Sequence, residues 1–135
     1  MIDTGDYFAG YRGHAGITTP MMDNAALLLT RVRALLEWAV TEGWVPTINQ
    51  VTGTMVSGQT DGGWRPQECA TGAPNSAHKQ ARAVDVADAD GTLDGLITDD
   101  ALEDFGLYRE APESTLHWCH LTDRSPASGR RTFNP

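Results

Sequence analysis

Apolar residues recur at helical spacing in one long stretch of this chain. Between Thr19 and Gly43, residues Leu28, Val32, Leu35, Leu36 and Ala39 fall three or four positions apart and share one helical face. Asp23 or Asn24 can cap its start and Gly43 can end it. The pattern predicts a long helix that carries the main core. Downstream the periods are shorter. VTGTMVSG (51–58) has the composition of a strand, and ARAVDVAD (81–88) that of a buried strand. LDGLITDDALEDFG (93–106) predicts one shorter helix stopped by Gly106, and LYRE (107–110) and HWCHLTD (117–123) predict two more short strands. Residues 58–76, rich in Gly and Pro, read as a long loop, and loops of that length in a small domain are commonly functional or disordered. Residues 1–20 read as an irregular arm that packs on the body, and residues 123–135 as a tail. A long helix followed by short strands, without regular βαβ alternation, is an α+β arrangement.

Composition narrows the function classes. The 135 residues suit a single domain, 1–135, with enough chain for a real core. The net charge is −8 and no run of Lys or Arg occurs, so no nucleic-acid partner is expected. No apolar stretch approaches the length of a membrane span. The N-terminus lacks a basic region followed by an apolar one, so synthesis in the cytoplasm without a signal peptide is expected. Cys69 and Cys119 are too few for a disulfide scaffold; free thiols are the default, with one disulfide left open.

The chemistry gathers around one acid. Asp85 sits inside an apolar run of Ala and Val, where a carboxylate is costly unless a cation or several donors meet it. His78 lies seven residues earlier, and LHWCHL holds two more histidines, His117 and His120. Residues three apart on a flat strand face opposite sides, so only one of that pair is expected to join the other two. Two histidines and one carboxylate with an open fourth position is a usual catalytic zinc set, and zinc there activates water at neutral pH. The spacing alone also fits a turn histidine, a backbone-bonded aspartate and a core histidine. Cys119 should face away from His120 into the core. DVADADG lacks the full spacing of a calcium loop and reads as a solvated turn.

SAHKQARAVDVAD (76–88) resembles the S-x-H-x6-D motif of the zinc D-Ala-D-Ala carboxypeptidases and L-alanyl-D-glutamate endopeptidases, whose fold is shared with the hedgehog signalling domain. HWCHL is similar to the later segment that carries the third zinc histidine. GGWRP, after an insertion following Ser57-Gly58, resembles the family's Ser-Gly-x-Arg stretch. The resemblance covers roughly residues 20–122, and the SGRRTF tail is similar to the end of small phage and prophage members. It implies a hedgehog/DD-peptidase-like α+β fold, a small antiparallel sheet packed with the long helix and a shorter second one. His78, Asp85 and His120 would be the metal ligands, with Zn2+ the cofactor. Arg65 would clamp a substrate carboxylate, which guanidinium binds bidentately, and Ser76 would bond that carboxylate or order the turn. The family's acid three residues before the last histidine is here His117, so the general base stays open among His117, Glu110 and Glu113. The implied activity is hydrolysis of the peptidoglycan stem peptide, at the cell wall, after phage lysis or from the virion. The rival is a non-catalytic zinc-binding or virion structural domain.

Overall fold

A computed structural model describes residues 1–135 as an α+β fold with four helices and a four-stranded mixed sheet. The core is built on helix α2 (Thr19–Thr41), whose residues Leu28, Val32, Leu35, Leu36 and Ala39 are fully buried, as their spacing predicts. Its start differs from expectation. Thr18 is the cap, accepting from Met21 N at 3.3 Å, and Pro20 occupies the first turn, where a missing N–H costs nothing. Asn24 lies inside the helix, and its Nδ2 donates instead to the Gln80 carbonyl at 3.0 Å.

The N-terminal arm contains a helix, α1 (Thr4–Phe8), closed by a reciprocal capping box between Asp3 and Asp6. It anchors the arm through the buried Ile2, Tyr7 and Phe8. Past α2 the chain runs through residues 42–76 without a strand. VTGTMVSG (51–58) is a series of turns that makes only isolated bridges, Asn49 with Thr54 and Val56 with Val86. The hydroxyls of Thr52 and Thr54 accept from the amides of Thr54 and Val56, a local alternative to ladder pairing.

Strand β1 (Ala83–Ala87) follows, buried throughout. The expected single second helix is two, α3 (Thr92–Leu96) and α4 (Asp99–Phe105). Ile97 between them is extended, and the Thr98 side chain caps α4 through Ala101 N. Asp88 is fully engaged at the start of α3, its two oxygens accepting from Leu93 N and Asp94 N, so the DVADADG turn is not merely solvated.

Strands β2 (Tyr108–Glu110), β3 (Trp118–Thr122) and β4 (Thr132–Phe133) complete the sheet in the order β1-β3-β2-β4. The first three are antiparallel, but β4 runs parallel to β2, so the sheet is mixed rather than antiparallel. The segment read as a tail therefore supplies a strand. One sheet face, with Val84, Val86, Cys119 and Leu121, joins the hydrophobic core. The alternate positions are free to build a site on the other face. No helix is long and apolar enough to cross a membrane, and both cysteines are free.

Candidate metal centre

The three expected ligands converge. One donor atom each from His78, Asp85 and His120 lies within 4.8 Å of the others, and all three residues are buried. His120 and Asp85 are direct cross-strand partners in the β1–β3 register. Asp85 turns its own amide and carbonyl to the opposite edge, donating to Gly62 O at 2.7 Å and accepting from Ser57 N at 2.8 Å. The pair is thus of the non-hydrogen-bonded kind, in which facing side chains approach most closely. His120 Nδ1 stands 2.9 Å from Asp85 Oδ1.

His78 reaches the same oxygen from outside the sheet. It sits on a 3-10 turn, Ala77–Gln80, whose start is capped by Ser76 accepting from His78 N. The His78 Nδ1 is 2.8 Å from the carbonyl of Gly63. A carbonyl only accepts, so Nδ1 carries the proton and Nε2 keeps its lone pair. That Nε2 is 3.3 Å from Asp85 Oδ1. Gly63 is needed here, because a Cβ on it would collide with the Tyr7 carbonyl oxygen.

Arg65 approaches the other carboxylate oxygen, with Nη2 at 3.4 Å from Asp85 Oδ2, and its Nε donates to the Asp61 carbonyl at 2.7 Å. Its Nε–Nη2 edge is therefore engaged within the protein, and Nη1 makes no hydrogen bond there. Trp64 packs away from the site, with its ring against Phe8, Tyr11 and His14.

The electrostatics match this crowding. Burial alone would raise the pKa of Asp85, yet the facing His78 and His120 more than offset it and hold the carboxyl well below the usual range. For His120, burial favours the neutral ring, but the hydrogen bond and charge of Asp85, with the charge of Glu110, raise its pKa overall.

This donor set fits a metal ion. Two imidazole nitrogens and one carboxylate oxygen are ligands suited to a transition metal. Metal–ligand bonds near 2.0–2.1 Å in a tetrahedral shell separate neighbouring ligand atoms by roughly 3.3 Å; the two distances to Asp85 Oδ1 are 2.9 and 3.3 Å, and all three donor atoms lie within 4.8 Å of one another. The Gly63 carbonyl behind His78 and Arg65 behind Asp85 are the outer partners that commonly orient such ligands.

The centre lies in an open cleft of about 790 Å³. The register places the remaining candidates relative to it. Tyr108 faces Thr122 and Arg109 faces Leu121, so continuing one position sets Glu110 beside His120. Asp85, His120, Glu110 and then Phe133 form one row across all four strands, and each lines the cleft. His117 and Glu113 do not line it; both are exposed. The His117 ring lies near the Ala89 carbonyl, with Nδ1 at 3.4 Å, and no turn swings it round to His120. Ser76 and Arg65 line the cleft as well.

Sequence reasoning missed other lining residues: Trp118, Thr122, Arg124 and Phe133. The signal for the first three was available, since they share the two-residue alternation of His120 along and just beyond β3. Phe133 carried none, because its place depends on a strand of two residues. Comparison with family models, curated proteins and solved structures gives no match for this chain.

Proposed function

We propose that the protein is a zinc peptidase that hydrolyses peptide bonds of bacterial cell-wall peptidoglycan, of the D-Ala-D-Ala carboxypeptidase or L-Ala-D-Glu endopeptidase type. It would have the hedgehog/DD-peptidase fold of that family, in a small phage or prophage form that reaches the wall after lysis or from the virion. The observation that carries this reading is the row on the cleft floor: His120 stands between Asp85 and Glu110, and His78 closes over the same carboxylate oxygen. His78 through Nε2, Asp85 through Oδ1 and His120 through Nδ1, the atoms that face one another, would hold the ion. Zinc in such a set supplies Lewis-acid polarisation of a carbonyl and acidification of water.

The chain's own residues do the rest. Glu110 is the base: its carboxylate faces the cleft next to His120, accepts a proton from the attacking water and returns it to the leaving amine. Arg65 acts through Asp85, holding Oδ2 so that Oδ1 points at the two imidazoles. Ser76 fixes the turn that presents His78. The sheet and the 3-10 turn wall the floor, and the open side admits an extended peptide.

A second reading, a non-catalytic zinc-binding or virion structural domain, is favoured by one feature. The position where the resembled family carries an acid is His117, and it points out of the cleft. Incubation of the zinc-loaded protein with purified peptidoglycan, followed by mass spectrometry of the released peptides, separates the two. New termini at one bond type are expected. An unchanged peptide profile on both whole sacculi and D-Ala-D-Ala peptides supports the second reading.

A further inference from the structure

The cleft extends past the metal centre, and its far end is built differently. Trp118, His120, Thr122 and Arg124 all line it, one every second residue. Arg124 is about 13 Å along the chain from His120 at the usual strand rise, an upper limit because β3 ends at Thr122. Its Nη1 donates to two fixed acceptors, the Asn75 carbonyl and Gln80 Oε1, each at 2.8 Å. Gln80 is itself held, with Nε2 donating to Asn75 Oδ1 at 2.7 Å. The guanidinium is therefore fixed in orientation from one side. Its Nε and Nη2 make no hydrogen bond within the protein, and no carboxylate pairs with it. The neighbouring Asp123 is taken by Arg82, with Nε at 2.8 Å. Burial and the charge of Arg82 both act against the Arg124 cation, which leaves it short of a counter-charge in a protein of net charge −8. An arginine with a held Nη1 and an unused Nε–Nη2 edge offers two parallel donors, the geometry that carboxylates take bidentately.

We infer that Arg124, rather than Arg65, is the carboxylate receptor of the cleft, and that it selects peptides with a free carboxylate within about three residues of the bond above the metal centre. The inference rests on the peptidase reading for the existence of a peptide in the cleft. Arg65 is less suited to the role, since its Nε–Nη2 edge already faces Asp61 O and Asp85 and its charge is paired with the Asp85 carboxylate.

The test uses a synthetic cell-wall pentapeptide with free carboxylates and the same peptide with every carboxylate amidated. Binding is measured calorimetrically on zinc-loaded Glu110→Gln protein, so that turnover does not interfere, with and without Arg124→Gln. Amidation should weaken binding about tenfold or more when Arg124 is present, the scale of a lost charge-assisted pair, and less than about twofold when it is absent. Arg124→Lys should fall between, because it keeps the charge without the fork. Equal amidation effects with and without Arg124 overturn the inference, as does failure of both peptides to bind at millimolar concentration. Hydrolysis by the wild-type protein is scored separately. Arg124-dependent binding without cleavage leaves this inference standing and removes the peptidase reading. Cleavage with an amidation effect that ignores Arg124 does the reverse.

Discussion

Asp85 shows how a residue that weakens a fold in isolation can organise a site. The residue is 8% exposed and lies between Val84 and Val86, both fully buried. Burial of that charge costs several kcal/mol unless it is met, and here two imidazoles share one oxygen while Arg65 takes the other. Glu110 is at the next position of the same row and His117 is outside the cleft, so on the proposed peptidase reading Glu110 is the proton acceptor. Glu110→Gln should lower peptide hydrolysis by about a hundredfold or more with metal content unchanged, the range for loss of a general base. His117→Ala should keep the wild-type rate, since its exposed ring is outside the cleft. The reverse pattern in a side-by-side rate assay would move the base to His117. A second residue-scale prediction concerns the link between the arm and the long loop. Burial opposes the charge of Asp61, but hydrogen bonds from Tyr11, Thr71 and Thr60 win and hold its pKa below 3.8. A depressed carboxyl stabilises the fold above its unfolded pKa, and that contribution is lost as pH falls through the folded value. Asp61→Asn should therefore lower Tm near neutrality by about 4 °C, and the gap to wild type should close on acidification below roughly pH 4. A gap that stays constant with pH would show that the charge of Asp61 is not what the three donors hold.

At the scale of elements, what positions the site is a set of close backbone approaches rather than long regular structure. The Gly62 carbonyl bonds Asp85 N, the Gly63 carbonyl orients His78, and Trp64 N donates to the Tyr7 carbonyl at 3.3 Å. Gly63→Ala should thus both destabilise the protein, by about 2 kcal/mol or more, and weaken metal affinity, because the collision with Tyr7 O moves the carbonyl that sets the His78 tautomer. Unchanged melting and metal affinity in that variant would mean the loop can shift without the site. The elements legible in the sequence are those fixed by local pattern: α2 by its apolar period, β1 and β3 by composition, α4 by its Gly106 stop. The strand expected at 51–58 fails because Thr52 and Thr54 satisfy the backbone locally, and the single second helix fails because Thr98 starts a new cap. Strand β4 left no signal, as two residues held by parallel pairing to β2 carry no period. The same limit applies to the site. The candidate ligand triad comes from the resemblance, since spacing alone left a metal-free reading open, whereas the choice among Glu110, Glu113 and His117 turns on the β2–β3 register, which spacing along the chain does not encode.

For the whole molecule, the candidate metal centre brings together a turn at the end of the strandless stretch and two neighbouring strands of the sheet. His78 belongs to the end of the long loop, Asp85 to the sheet edge beside it, and His120 to the sheet interior. An ion bound by all three ties the loop to the sheet, and an ion that binds only the native state raises its stability by mass action. Removal of the ion with a chelator should lower Tm by about 5 °C or more, with recovery on adding zinc. If these three side chains form one metal site, the metal content of the protein and its variants must show it. Wild-type, His78→Ala and His120→Ala proteins are equilibrated with equimolar zinc, dialysed against metal-free buffer and analysed by plasma mass spectrometry alongside a circular-dichroism check of folding. Close to one zinc per wild-type chain is expected, as a three-ligand site implies, and little in either folded variant. Wild-type protein that retains no zinc, or variants that retain as much as wild type, would contradict it.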